Sequence, residues 1–413
     1  MTSEPSQAYV WVWLPGATEP VVAGRLDRSD NHLISFTYGR SYRSRDDSIS
    51  LYTPELPLDR VGPIWPLVDE IAGCIRDAGP DAWGQRVILN RRVGTAATDT
   101  TEMGILSYLL EAGPDRIGAL DFQARADRYE PSPTHPATIE ELATSAERVE
   151  NGVPLTPELD EALLHGSSGV GGARPKALLR DHDRHLIAKF SSSSDRTPVV
   201  KGEFISMELA RRSGLDVARV ELTNALDHDV LLVERFDRTG DGGRRALVSV
   251  LTILEHPEFT SVPASYADLS DVIESRFTEC DGTLRELFSR ITFNILTGNT
   301  DDHPRNHAAF WDGQGLTLTP AYDIEPQTRS GGETVQKMAI GRDGWRMSQV
   351  AGCVARSSIY HLDEREAREI VDHQIDVISS DWDDVCDLAQ LSQVPRQSYW
   401  GRQYLNPYAL EGY

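Results

Sequence analysis

The sequence predicts an α+β protein, with a mixed α/β N-terminal part of short strands and a mostly helical C-terminal lobe. Three observations carry this. Short β-branched and aromatic runs, punctuated by Gly and Pro, recur through the first half of the chain. Leu284, Leu287, Phe288, Ile291, Ile295 and Leu296 fall at i, i+3, i+4, i+7, i+11 and i+12, the spacing of a core helix. Beyond about residue 345 helical spacing dominates, and the tail is aromatic.

The elements follow in order. Tyr9-Val-Trp-Val-Trp-Leu14 alternates and reads as a strand closed by a Pro15-Gly16 turn, with further short strands at 32–38 and 49–52. After Arg76 to Arg86 an apolar-periodic helix begins. Tyr129-Glu-Pro-Ser-Pro-Thr-His-Pro136 is a linker, so the first domain boundary falls near residue 130. A Gly/Ser loop, Gly166 to Lys176, runs into strands, of which 186–190 carries Lys189. The stretch 203–212 is helical and is stopped by Gly214; Val230 to Phe236 is a buried strand ending in charges. Residues 307–311 and 316–319 flank Asp-Gly-Gln-Gly, a hairpin signal.

Composition limits the function. The chain has 413 residues, 39% hydrophobic and 25% charged, which fits two to four globular units. No apolar run approaches a bilayer span, and the first residues lack the basic and apolar regions of a signal peptide, so the expectation is a cytoplasmic protein with no membrane partner. Lys+Arg number 41 against 64 Asp+Glu, a net charge of −23, which opposes tight nucleic-acid binding by the bulk surface. The four cysteines are scattered and form neither a disulfide framework nor a CxxC knuckle.

The densest polar cluster is Gly298-Asn-Thr-Asp-Asp-His-Pro-Arg-Asn306, between the core helix and the hairpin. The hairpin returns the chain to Tyr322-Asp323, so Asn306 and Asp323 should be neighbours. Phosphoryl transfer needs such parts: one carboxylate for the attacking hydroxyl, and an Asn with a second carboxylate as hard oxygen ligands for Mg²⁺. Asp301 lies five residues before Asn306, as the catalytic Asp and metal-binding Asn do in protein kinases; Asp302 is only four away, which favours Asp301 as the base. A plain polar turn is the competing explanation. His303 and His307 have a zinc-like spacing, but Pro304 interrupts any helix and no third ligand is evident.

The glycines before Lys176 are not a Walker A loop, yet their backbone N–H groups can approach phosphates, with Arg174 and Lys176 adding charge. In isolation a flexible surface loop explains them equally, and Lys189 can be a snorkelling strand lysine. Their order is the stronger signal: Gly loop, strand Lys189, helix Glu203, charged strand end, core helix, catalytic loop, hairpin and Tyr-Asp follow one another as in a kinase.

Chain-wide, the sequence resembles the HipA-type serine/threonine kinases of bacterial type II toxin–antitoxin systems. The resemblance rests on Asp77-Ala-Gly-Pro-Asp-Ala-Trp-Gly84, Gly113-Pro-Asp-Arg-Ile-Gly-Ala-Leu120, Gly171-Gly-Ala-Arg-Pro-Lys-Ala-Leu178, Leu232-Val-Glu-Arg-Phe-Asp-Arg238, Thr300-Asp-Asp-His-Pro-Arg-Asn306 and Thr319-Pro-Ala-Tyr-Asp-Ile324. It implies a HipA-like kinase fold with an N-terminal subdomain over 1–130, a kinase N-lobe part with phosphate loop and hinge over 131–240, and a helical kinase lobe over 241–413. It implies ATP and Mg²⁺ as cofactors. By motif, Gly171, Gly172, Ala173, Arg174, Pro175 and Lys176 would contact the phosphates beside Lys189, and Glu234, Arg235 and Phe236 would hold adenine. Asp301 would be the base; His303, Pro304, Arg305, Asn306 and Tyr322 would line the site, and Asn306 and Asp323 would bind Mg²⁺. The resemblance also implies an autophosphorylated serine before the phosphate loop, a protein substrate such as an aminoacyl-tRNA synthetase, and a small helix-turn-helix antitoxin through which alone DNA is bound. Gly169 stands at the serine's equivalent position, which leaves Ser168 and Ser167 as candidates. A pseudokinase serving as antitoxin partner and co-repressor is the alternative, and a small-molecule kinase on the same scaffold is a third.

Overall fold

A computed structural model describes residues 4–93, 103–131, 137–156, 159, 174–192, 195–329 and 331–413. The chain forms two compact units, each discontinuous in sequence. The first comprises Met1–Ser192, Thr223–Val248 and Phe310–Gln314; the second comprises Ser193–Leu222, Ser249–Ala309 and Gly315–Tyr413.

The first unit opens with an antiparallel sheet of β1 (Gln7–Val12), β2 (Val21–Arg28), β3 (Ile34–Tyr38) and β4 (Leu120–Gln123), in the order β3-β2-β1-β4. The strand read from residues 9–14 forms, but Trp11, Trp13 and Leu14 are buried as well as Val10 and Val12, so its burial does not alternate. A register shift between Val10 and Trp11 re-aims the second half of β1. The strand expected at 49–52 does not form; Tyr52 makes only an isolated bridge to Leu56. The side chains there have another use, because Tyr38 Oη and Tyr42 Oη take up the backbone of Leu51, Leu56 and Ile49 that a ladder would otherwise claim.

A second antiparallel sheet has the order β5-β6-β8-β7, with β5 at Lys176–Asp181, β6 at Arg184–Phe190, β7 at Val220–Ala225 and β8 at His228–Glu234. Ala177, Leu186, Ala188, Val230 and Leu232 bury one face against Trp83 and the helix Ile139–Glu150. Thr138 starts that helix through a capping box with Glu141, satisfying two otherwise orphaned N–H groups.

In the second unit the core helix runs Cys280–Leu296, with Leu284, Leu287, Phe288 and Ile295 fully buried as the spacing predicts. The helix Glu364–Leu388, opened by an Asp363/Glu366 capping box, is locked to it by a buried amide: Gln374 Oε1 accepts from Thr292 and Nε2 donates to Ser289 O at 2.8 Å. The helix Val199–Arg212 ends ahead of Gly214, whose φ of +83° is the left-handed stop its position suggested. The hairpin forms from Ala308–Trp311 and Leu316–Leu318. Among the described residues no helix is long and apolar enough to cross a membrane.

Candidate active site

The core helix delivers the catalytic loop. Gly298 follows it at φ +71°, and a Cβ there would sit 2.7 Å from Gln403 O and 3.0 Å from Gln403 Cα, so both the conformation and the close approach of the tail require glycine. Leu405 N donates to Leu296 O at 2.8 Å and Gln327 N to Gly298 O at 3.0 Å, tying the loop's base to two distant segments.

The two consecutive aspartates then diverge. Asp302 is buried and accepts from Asn294 Nδ2 at 2.8 Å, from the Tyr266 hydroxyl, and from His307 Nε2 at 2.9 Å. Burial would raise its pKa, but the His307 ring and the Tyr266 hydroxyl outweigh that and hold it below the usual carboxylate range. Asp301 keeps 53% of its side chain exposed and faces Lys337 Nζ at 3.4 Å. Its neighbour has the structural role, which leaves Asp301 the carboxylate available to a substrate. His307, raised as half of a zinc-like spacing, is committed to Asp302 through Nε2.

The remaining loop residues are fixed by contacts of their own. Asn306 is buried, and its N–H turns back to His303 O at 2.8 Å. His303 Nδ1 is buried without a hydrogen-bond partner among the described residues. Arg305 pairs with Glu258 at 2.6 Å, and Arg305 O accepts from Tyr322 Oη at 2.7 Å. That last bond brings the Tyr-Asp end of the hairpin back to the loop, as the sequence pattern required. Asp323 sits at φ +61°, unusual for a residue with a Cβ, and its carbonyl faces Asn299 Nδ2 at 3.4 Å. Asn306 and Asp323 offer hard oxygen donors of the kind Mg²⁺ takes.

The first unit holds the phosphate-loop and hinge motifs. Gly171, Gly172, Ala173, Ser167 and Ser168 lie outside the described residues. Phe190 N donates to Pro175 O, so β5 and β6 begin pairing directly after Arg174. Lys176 and Lys189 are cross-strand partners, and therefore stand on the same sheet face, opposite that of Ala177 and Ala188. The Lys176 ammonium is not presented on an open loop as its motif suggests; it is buried and paired with Asp81 at 3.0 Å. Asp81 also accepts from Gly84 N, and Trp83 Nε1 donates to Lys176 O at 2.9 Å. The Asp77 to Gly84 motif, for which the sequence offered no role, is thus the cradle of this lysine.

Glu234 ends β8 opposite Leu186, and Phe236 packs edge-on to Phe310 with centroids 5.8 Å apart. Arg235, expected beside adenine, has its side chain in an ion network. Its guanidinium is buried and bonds Asp115 and Asp237, each at 2.9 Å, and Arg116 O at 2.6 Å. Its N–H donates to His185 O. Arg238 adds 2.6 Å to Asp115 and 2.9 Å to Asp237, and Gly118 N donates to Asp237. Burial opposes ionisation of both carboxylates, yet the two arginines hold them well below the usual range. Sequence reading singled out the 113–120 and 232–238 motifs separately; they are two halves of one buried ion network. Charged runs so far apart carry no sign of their pairing.

Comparison with known proteins agrees with this assembly. Residues 168–382 match the HipA-like C-terminal domain and residues 12–123 the HipA N-terminal domain. A serine/threonine-protein kinase toxin HipA of Shewanella oneidensis is 27% identical over 241 residues, covering 51% of this chain and 54% of that protein. A putative kinase of Sinorhizobium fredii, Y4mE, is 26% identical over 271 residues, covering 58% of this chain and 60% of its own. The chain thus spans about half the length of the curated relatives it matches. The fold is that of HipA in the solved Shewanella oneidensis complex of HipA, HipB and operator DNA, with a TM-score of 0.69 at 20% identity over 94% of both chains. With more than half of its length inside the HipA-like C-terminal domain, the chain belongs to the HipA family of kinases.

Proposed function

We propose that this protein is an ATP- and Mg²⁺-dependent serine/threonine protein kinase, the toxin of a type II toxin–antitoxin pair. The observation that carries the proposal is the division of labour in the loop: Asp302 is buried in a hydrogen-bonded cluster while Asp301 keeps its carboxylate exposed, with Tyr322 bonded back to Arg305 O on the same loop. Asp301 orients the substrate hydroxyl. The hydroxyl oxygen bonds to the γ-phosphorus, the bond from phosphorus to the β–γ bridging oxygen breaks, ADP leaves, and the hydroxyl proton passes to Asp301. Asn306 and Asp323 would hold Mg²⁺, which would supply charge neutralisation on the phosphates. The orphaned Nδ1 of His303 is satisfied by a phosphate oxygen or a water. By its resemblance to the family, the first unit's Arg174 and Lys189 are assigned to the phosphates and Glu234 to Phe236 to adenine, and Lys176 is held by Asp81.

The substrate is a protein serine, on a translation protein such as an aminoacyl-tRNA synthetase. Autophosphorylation on Ser168 or Ser167 switches the kinase off by adding about −1.5 to −2 charge beside the nucleotide's phosphates. A small basic helix-turn-helix antitoxin supplies DNA binding, because a chain of net charge −23 lacks the cations that non-specific DNA binding needs. The solved Shewanella oneidensis relative is in complex with HipB and operator DNA, which supports such a partner here.

Incubation of the purified chain with labelled ATP, Mg²⁺ and host lysate tests the reading. Label on a discrete protein supports a kinase; nucleotide binding without transfer would leave only the pseudokinase role. Mass spectrometry of the same sample locates the autophosphorylated serine, and phosphate on neither serine in an active preparation removes the switch. Salt-sensitive binding of the isolated chain to duplex DNA would refute the indirect route to DNA.

A further inference from the structure

Phosphoryl transfer requires positive charge beside the attacking hydroxyl, where the transferring group's oxygens pass. The catalytic loop supplies little of it. Arg305 is engaged by Glu258 at 2.6 Å, and Pro304 offers nothing. The cation that reaches Asp301 comes from a different part of the chain: Lys337 Nζ lies 3.4 Å from Asp301 Oδ1.

Its placement is built, although the lysine itself is exposed. Gln336 and Met338 on either side are buried, so alternation turns Lys337 outward. The backbone is held on both edges. Gln336 N donates to Arg346 O at 2.7 Å within a Val335–Met347 bridge, while Ala339 N donates to Ala264 O and Tyr266 N to Ala339 O, each at 2.8 Å. Tyr266 is the residue whose hydroxyl fixes Asp302. A single tyrosine therefore ties the strip bearing Lys337 to the loop bearing Asp301, and sets the lysine against the base through rigid backbone.

We propose that Lys337 is a catalytic residue of phosphoryl transfer, donating its ammonium hydrogen bonds to the γ-phosphoryl oxygens when ATP is bound and to Asp301 when it is not. The inference rests on the kinase reading above. Lys337 forms no covalent bond; it stabilises charge on the group in flight. Sequence gave no hint, because Lys337 is 36 positions from Asp301 and belongs to no recognisable motif.

The test uses the full chain, its initial rate of label transfer from Mg²⁺-ATP to itself or to proteins of host lysate, and the affinity of a fluorescent ATP analogue. Lys337→Met keeps the aliphatic stem and removes the charge. The expected result is a rate lowered by about 10²-fold or more, the typical effect of losing one preorganised donor, with analogue affinity within about threefold of wild type and an unchanged melting temperature. Lys337→Arg should restore part of the rate. A Lys337→Met rate within threefold of wild type, or a loss matched by equal losses in affinity and melting temperature, overturns the role. An inactive wild type with intact nucleotide binding overturns the kinase reading itself, and the role with it; that outcome is recognisable before any variant is made.

Discussion

Asp302 and His307 form a buried pair, Nε2 to Oδ2 at 2.9 Å, inside a cluster completed by Asn294 and Tyr266, while Asp301 one residue earlier has none of these partners. Adjacent carboxylates therefore have separable functions, and substitution should separate them. Removing a buried acceptor and leaving its donors unsatisfied typically costs about 1–3 kcal/mol, and Asp302 serves Asn294, Tyr266 and His307, so Asp302→Ala should unfold at lower urea concentration. Asp301→Asn should unfold like wild type and lose on the order of 10²–10⁴ in phosphorylation rate. Urea titrations beside single-turnover assays read both quantities. Near wild-type turnover by Asp301→Asn would remove it as the base.

The sequence-based choice of Asp301 over Asp302 rests on local spacing. The loop, its flanking helix and the returning hairpin are contiguous, and spacing to Asn306 carries the information. The long-range partners of the first unit are a different case. Lys176 meets Asp81 across 95 positions, and Arg235 meets Asp115 across 120. Nothing in a glycine-rich loop announces that its lysine will be buried. The strand expected at 49–52 failed for a related reason: two tyrosine hydroxyls from elsewhere satisfy the backbone that pairing would have used.

The Arg235–Asp237 network predicts a stability effect. Both groups are buried, and Asp237 is shared by Arg235, Arg238 and Gly118 N. Asp237→Asn keeps the shape but leaves two arginines short of an anion, so a loss of about 3 kcal/mol or more is expected. Calorimetry checks it. A fall in melting temperature should accompany a smaller fall in the activity of the protein that remains folded. An unchanged melting temperature would show that Asp115 alone suffices for both arginines.

Metal dependence should separate Asp323 from Asn306. A carboxylate contributes a full charge to a divalent cation and an amide only a dipole. Asp323→Ala should therefore abolish the dependence of nucleotide affinity on Mg²⁺, whereas Asn306→Ala should weaken it and leave a reduced response at high Mg²⁺. Calorimetric titration with a non-hydrolysable ATP analogue, across a Mg²⁺ series, distinguishes them. A full Mg²⁺ response in Asp323→Ala would exclude that carboxylate as a ligand.

A pH effect follows from His361 in the second unit. Its Nδ1 faces Asp281 Oδ1 and its Nε2 faces Glu274 Oε1, each at 3.0 Å, so both ring nitrogens can donate only when the imidazole is charged. The hydrogen bonds to Asp281 and then Glu274 raise its pKa above the ordinary histidine value. A raised folded-state pKa means that the charged form is favoured by folding. Its stabilisation is therefore complete below the unfolded value of about 6.5 and is lost as pH rises through the folded value. The ring is exposed and salt-screened, so the effect on global stability is small and best read at the residue itself. The ¹H–¹³C resonance of the His361 ring should titrate above the unfolded value and move back toward it in Glu274→Gln. His361→Gln should flatten the stability profile in that same window. An unshifted titration, or an identical pH profile for His361→Gln, would show that the two carboxylates do not hold the ring in solution.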